Sequence, residues 1–326
     1  MGAATVNGTA IEWTHVPGFK GETWNPVSGC TRISPGCANC YARTMARRLK
    51  AMGQPGYQLD GDGPGFGVTV HPDKLAEPLT WKKPRAVFVN SMSDLFHDEI
   101  PATFIADVFD VMRRTPQHIY MVLTKRPEEA RDWFEKWRPA FTRFTTSTWP
   151  LPNVWMGVSI ENSRHTWRAD VLREIPAAVR FISAEPLLGS LFTIQCRDCG
   201  GTGMLHTRTG ANEWEPEQCQ RCHGRQPLDL TGIDWVIVGG ESGHGARPMQ
   251  LDWAREIVDA CLDHCTDRCE CSDVPADYQC EHRPAVFVKQ LGSVLARELG
   301  AQAKGGDWDD LPSDIRIREF PRSAAL

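Results

Sequence analysis

Six short apolar runs recur along the chain, and each ends in polar or glycine-rich residues. They span Val87–Ser91, Ile119–Arg126, Val154–Glu161, Val179–Glu185, Trp235–Glu241 and Ala285–Gln290. Runs of this length that are apolar at nearly every position suit strands buried on both faces of a parallel sheet. Helical patterns lie between them. Pro101–Met112 opens with a proline suited to a first turn and continues with apolar spacing near the helical period; Trp253–Cys261 and the segment after Cys40 are similar. Strand and helix alternate at roughly thirty-residue intervals, which predicts βαβ units with right-handed crossovers. With a weakly marked first strand before Cys30, about six or seven units are available, short of the eight that close a barrel.

The expected fold is therefore α/β, a partial or nearly complete (β/α) barrel of about six or seven units. Two long gaps, from Glu185 to Trp235 and from Gly243 to Ala285, hold clusters of cysteine and look like insertions. The predicted organisation is residues 11–190 for the first part of the barrel, with a cysteine loop at 28–43, then a zinc-knuckle insertion at 191–228. Residues 229–260 continue the barrel, 261–284 form a second cysteine-rich insertion, and 285–322 carry the last strand and a C-terminal segment.

Polar groups collect where the strands end. Asn90, Ser91, Ser93 and Asp94 follow one strand, and Thr124, Lys125 and Arg126 another. Ser159 with Glu161, Ser183 with Glu185, Gly239–Ser242, and Lys289 with Gln290 complete the series. In an α/β barrel the C-terminal rim builds the active site, so this repetition predicts a rim-lined cavity rather than ordinary loop polarity.

The chain has twelve cysteines. Cys30, Cys37 and Cys40 share one glycine- and proline-bent loop that runs into a helix. Three thiolates so placed can hold three corners of a 4Fe–4S cluster and leave the fourth iron open. A zinc site completed by His15 or His97 is the competing reading. Cys196, Cys199, Cys219 and Cys222 form two Cys-x-x-Cys knuckles, a spacing typical of four-thiolate structural zinc, with a hairpin-like flap over 203–217 between them. Cys265, Cys269, Cys271 and Cys280 could close a second zinc site, with His282 competing as a ligand, whereas Cys261 falls in an apolar helix pattern and reads as core.

Composition changes the picture little. The 326 residues are 41% hydrophobic and 24% charged, as in a globular protein, and the formal net charge of −5 does not advertise a nucleic-acid binder. Arg43, Arg47, Arg48 and Lys50 nevertheless form a basic run just after the cysteine triad. No apolar stretch reaches the length of a membrane span, and the first residues lack the pattern of a secretory signal, so the expectation is a cytoplasmic protein without membrane contact.

The triad with Tyr41–Ala42, and the segments Asn90–Phe96, Leu123–Pro127 and Val238–Gly243, resemble the phage-borne three-cysteine-motif proteins. These are also found in bacterial genomes and catalogued as a domain of unknown function. That family looks like a divergent branch of the radical S-adenosylmethionine enzymes, and the Cys-x-x-Cys-Tyr-Ala ending is similar to that of spore photoproduct lyase. The usual superfamily spacing is C-x3-C-x2-C, whereas this chain has C-x6-C-x2-C. Gly239–Gly240–Glu241 resembles the motif that greets the methionine amine, but comes much later in the chain than that motif normally does.

The resemblance implies a 4Fe–4S cluster on Cys30, Cys37 and Cys40, S-adenosylmethionine on the open iron, and formation of a 5′-deoxyadenosyl radical. If it holds, strand-end position makes Ser93 and Asp94 candidates for the amine, Lys125 or Arg126 for the carboxylate and Ser159 with Glu161 for the ribose, with Ser91 a further cofactor-binding candidate. Ser183, Glu185 and Lys289 would address the substrate. An electron donor such as flavodoxin or ferredoxin, a nucleic acid to be modified or repaired, and a further partner protein follow as expectations. The alternatives are a non-catalytic nucleic-acid-binding protein stabilised by zinc and iron–sulfur, and a metal-dependent hydrolase. The hydrolase is disfavoured because no pair of rim histidines accompanies the carboxylates.

Overall fold

The computed structural model describes residues 8–144, 149–192, 204–208, 214–218, 227–264 and 283–322. Eleven strands run in chain order: β1 (Lys20–Trp24), β2 (Val27–Ser28), β3 (Thr69–Val70), β4 (Arg85–Val89), β5 (Ile119–Thr124), β6 (Val154–Ser159), β7 (Val179–Ala184), β8 (Met204–Arg208), β9 (Trp214–Gln218), β10 (Trp235–Gly239) and β11 (Ala285–Gln290). The helices are α1 (Tyr41–Ala51), α2 (Ala102–Arg114), α3 (Pro127–Phe144), α4 (Trp167–Glu174), α5 (Leu251–Asp263) and α6 (Ser293–Glu298).

Seven strands form one parallel sheet in the order β1-β4-β5-β6-β7-β10-β11, curled into a half-barrel. The six apolar runs are its strands β4 to β7, β10 and β11, and the weakly marked first strand is β1. The hairpin expected between the zinc knuckles is present as antiparallel β8 and β9, with Met204 opposite Gln218. The knuckle cysteines Cys196, Cys199, Cys219 and Cys222 lie outside the described residues, as do Cys265, Cys269, Cys271, Cys280 and His282.

Alternation along each strand sorts side chains into two cores. Val87, Val89, Tyr120, Val122, Val154, Met156, Ile182, Val236 and Val286 face the helices. Ala86, Phe88, Ile119, Met121, Trp155, Phe181, Trp235 and Phe287 fill the concave side, where Trp13 from an N-terminal 3-10 turn joins them. Trp13 packs 4.8 Å from the Phe88 ring and 6.2 Å from Trp235. Gly157 is required here, because a Cβ at that position would overlap the Phe181 ring. Cys261 is fully buried in the helix-side core; burial first, and then nearby Glu319 against the opposing charge of Arg283, pushes its thiol up to about 12.

The same alternation carries the inward row toward the C-terminal ends of the strands. On β6 the row passes from Trp155 through Gly157 to Ser159, and on β7 from Phe181 to Ser183 and on to Glu185. On β11 it passes from Phe287 to Lys289. The concave side therefore turns from aromatic to polar at the rim.

Candidate functional site

The cysteine loop is delivered to this rim by backbone stitching to the turn after β4. Gly29 N–H donates to the Met92 carbonyl at 3.0 Å, and Asn25 Oδ1 accepts from Ser91 Oγ and the Met92 N–H. Gly29 has φ +85°, and a Cβ there would overlap the Gly67 carbonyl, so only glycine fits this entry. A 3-10 turn over Pro35–Cys37 follows, Cys40 caps α1, and Cys30 and Cys40 pack against Ala42, Ala46, Tyr57, Phe66 and Met92. All three cysteines line a single cavity of about 450 Å³, within the range of ordinary ligand pockets.

The loop is braced from beneath by residues of distant strands. Ser34 Oγ donates to Glu161 Oε1 at 2.5 Å, and Asn39 Nδ2 to Glu241 Oε2 at 2.9 Å. Arg126 Nη2 donates to Thr31 Oγ1 at 2.6 Å, and Arg247 Nη2 to the Pro35 carbonyl at 2.9 Å. Gly36 lies directly on Glu161, and a Cβ added there would overlap the carboxylate. Glu161 is fully buried and also accepts from Arg168 Nη1 at 3.1 Å. Burial works to raise its pKa, but Lys125, Arg168, Ser34 and His165 outweigh it and hold the carboxyl below the usual range. Glu241 follows the same pattern, with burial opposed and outweighed by Arg247 and Asn39.

The remaining rim residues form the cavity wall. Ser91, Ser93, Asp94, Lys125, Ser159, Ser183, Glu185, Gly240, Glu241 and Lys289 all line it. Asp94 accepts from Thr124 Oγ1 at 2.7 Å and from the Lys125 N–H at 2.9 Å, and Ser93 Oγ donates to the Val27 carbonyl. Lys289 Nζ meets Glu185 Oε1 at 2.6 Å. The Lys125 ammonium has no hydrogen-bond or ion-pair partner among the described residues, so of the expected pair Lys125 and Arg126, Lys125 faces the cavity while Arg126 sits under the loop. Gly239 and Gly240 have packing reasons: a Cβ on Gly240 would overlap the Leu291 carbonyl, and one on Gly239 would press on Glu185. Trp13, Phe88 and Leu123 give the cavity an apolar floor.

The electrostatics of the thiols follow from this setting. Burial, and after it the Asp94 carboxylate, pushes the Cys30 thiol up to about 12. Among the described residues no three His, Cys, Asp or Glu side chains converge as they would around a single ion. His97 is committed elsewhere: its Nε2 meets Thr31 Oγ1 at 2.9 Å, and its Nδ1 lies 3.0 Å from Asp98. His15 Nε2 lies 3.0 Å from the Thr9 carbonyl.

A family model described as "Protein of unknown function (DUF5131)" matches residues 8–269. The chain belongs to the DUF5131 family. The match spans the cysteine loop, its braces and six of the seven sheet strands. Neither the curated proteins nor the solved structures gave a match. In this DUF5131 chain, sequence reasoning missed Thr31, Ser34, Asn39, Arg168 and Arg247, the partners that fix the loop. No helix among the described residues is long and apolar enough to cross a membrane.

Proposed function

We propose that this DUF5131 protein is a radical S-adenosylmethionine enzyme. The observation that carries the reading is the convergence of three thiols and the strand-end polar groups on one cavity. Cys30, Cys37 and Cys40 would hold a 4Fe–4S cluster. Three half-buried thiols from one loop line the cavity, and a cluster takes one thiolate at each of its irons. When bound, the cluster would supply the electron that cleaves S-adenosylmethionine to a 5′-deoxyadenosyl radical.

The protein's own part is binding, orientation and exclusion of water. Glu161, Arg126 and Glu241 hold the thiol loop against the rim. Lys125, which lines the cavity, suits the methionine carboxylate, and Ser159 and Ser183 offer hydroxyls on the inward row. The Glu185–Lys289 pair presents both signs of charge to a substrate, and the floor of Trp13, Phe88 and Leu123 keeps water from the reacting centre. A nucleic-acid substrate is the finer part of the proposal. It rests on the family resemblance and on the two zinc knuckles flanking the β8–β9 hairpin, where Cys196, Cys199, Cys219 and Cys222 would hold zinc. A cytoplasmic setting accords with thiols kept for metal.

Anaerobic reconstitution tests the first step through iron and sulfide counting and the visible absorbance of the cluster. Incubation with dithionite and S-adenosylmethionine, with and without DNA or RNA, then tests for 5′-deoxyadenosine. A colourless protein with zinc bound at the triad would end the proposal.

A further inference from the structure

The ladder between β10 and β11 slips by one residue where it reaches the cavity. Val238 pairs with Val288, but Gly239 pairs with Gln290, so Lys289 is an extra residue in the last strand. Bulges are rare in parallel pairs, and they re-aim side chains beside active sites. Arg318 holds this one in place. Its Nε donates to the Val288 carbonyl at 3.2 Å, and its Nη2 to the Lys289 carbonyl at 3.2 Å and the Gly306 carbonyl at 2.6 Å. A guanidinium spread over three backbone carbonyls fixes where the Lys289 side chain leaves the strand.

The bulge delivers Lys289 to the cavity wall, where its Nζ meets Glu185 Oε1 at 2.6 Å. The two side chains are 13% and 20% exposed, so the pair is largely desolvated yet open to a ligand. Gly239 leaves room for it, since a Cβ there would come within 3.3 Å of the Glu185 carboxyl carbon and 3.5 Å of Gln290 Cγ. Gln290 lines the same wall. Its Nε2 donates to the Gly240 carbonyl at 2.8 Å, and its buried Oε1 has no partner among the described residues. A second pair on the wall, Glu12 with Lys304 at 2.8 Å, also cancels its own charge. Charges that cancel pairwise suit a neutral ligand, because an ionic one would have to break a partly buried pair.

An ammonium has three donors and a carboxylate only acceptors. Side by side, they complement a ligand whose carbonyl and N–H are adjacent, and both contacts are charge-assisted, about twice as strong as neutral ones. Trp13 and Phe88 on the cavity's apolar floor would take the body of a flat ring. We propose that Glu185 and Lys289 recognise the lactam edge of a neutral heteroaromatic ring. The ammonium donates to the ring carbonyl, and the carboxylate accepts from the ring N–H. Oxopurine and oxopyrimidine bases carry this edge. This names the substrate class of the cavity and rests on the reading of it as a substrate site above.

The test uses the full chain as purified, with nucleosides as probes and calorimetry as the readout. Inosine should bind about tenfold more tightly than 1-methylinosine, which lacks the ring N–H and leaves the carboxylate unpaired. Uridine against 3-methyluridine repeats the comparison for a pyrimidine, and a difference in either pair supports the assignment and names the ring. Glu185→Gln and Lys289→Met should each weaken the favoured nucleoside about tenfold, with far-UV circular dichroism unchanged. The methylated pairs are measured on the wild type, so they decide the matter even where a variant fails to fold. Equal binding within both pairs, no nucleoside binding, or unchanged binding in both variants overturns the assignment. So does adenosine binding as tightly as the favoured nucleoside, which gives the pair to the ring of the proposed cofactor. Inorganic phosphate displacing the nucleoside gives Lys289 to an anion and overturns it as well. None of these measurements involves a cluster or S-adenosylmethionine, so their failure is distinct from that of the radical reading, which fails on 5′-deoxyadenosine.

Discussion

Glu161→Gln tests whether the thiol loop is held by a buried charge network. Glu161 and Arg168 are both almost fully inaccessible, and the carboxylate spans Arg168 Nη1 at 3.1 Å and Ser34 Oγ at 2.5 Å. Removing the charge leaves the Arg168 guanidinium buried, with the Ser159 carbonyl as its remaining acceptor. Breaking a buried pair in this way costs about 3–5 kcal/mol, and the amide's retained oxygen places the loss near about 3 kcal/mol. For a chain of 326 residues that lowers Tm by roughly 4–5 °C. The pH dependence fixes the sign. The carboxyl is depressed below the ordinary glutamate value of 4.5, so its stabilisation is present above that value and lost as pH falls through the folded pKa. Urea titrations of wild type and variant should therefore differ most near neutral pH and converge in acid. Ser34→Ala removes only the link to the loop, so it should cost about 1.5–3 kcal/mol or less and act chiefly on iron retention. A Glu161→Gln variant within about 0.5 kcal/mol of wild type at neutral pH would refute the network.

Gly36→Ala places a methyl group on the Glu161 carboxylate, and the reconstituted variant should bind less iron while its far-UV circular dichroism is unchanged. Cys30→Ala should abolish iron binding and leave zinc content untouched, whereas Cys196→Ala with Cys199→Ala should do the reverse, as read by metal analysis of the same preparations. Gly157→Ala drives a methyl into the Phe181 ring and should cost about 1–3 kcal/mol in urea unfolding. Glu12→Gln weakens the 2.8 Å bond to Lys304; because this pair is partly exposed, the loss should stay within about 1 kcal/mol, with faster hydrogen exchange confined to residues 9–16 and 300–306.

The sheet was legible because β4 to β7, β10 and β11 are apolar at nearly every position, as burial between helices and the concave core demands. Strand β1 was nearly hidden for the opposite reason. Its sequence Lys-Gly-Glu-Thr-Trp belongs to an edge strand paired only with β4, where Glu22 can pair with Arg85. The rim was legible as a set, since strand-end polarity recurs, but the division of labour within it was not. Arg126 and Glu161, expected at the cofactor, grip the loop, and Glu241 both grips it and lines the cavity. Their partners stand 95, 127 and 202 residues away in the chain, and no local spacing encodes such pairings. Gly239 and Gly240 likewise looked like a binding motif; close approach to the Leu291 carbonyl already requires Gly240, which also lines the cavity.

The half-barrel's incompleteness shapes the site. With β1 and β11 each paired on one side only, a closed ring of strands cannot define the cavity, and the chain ends supply what is missing. The N-terminal segment lines it with Thr9, Ile11, Glu12 and Trp13, and the C-terminal part adds Lys304. Arg283 holds Glu319 at 2.7 Å, and the Val288 N–H donates to the Ile317 carbonyl, so the last segment is laid along the free edge of β11. That cover blunts an edge that would otherwise invite pairing with other chains. The cysteine loop lines the same cavity, held by Arg126, Glu161 and Glu241 at the ends of β5, β6 and β10. The thiols are thus fixed by the rigid strands, while the seam is built from chain ends joined by the Glu12–Lys304 pair. For the metal group and large substrate proposed above, that asymmetry would supply a rigid side to hold the chemistry and a side whose contacts cost little to part.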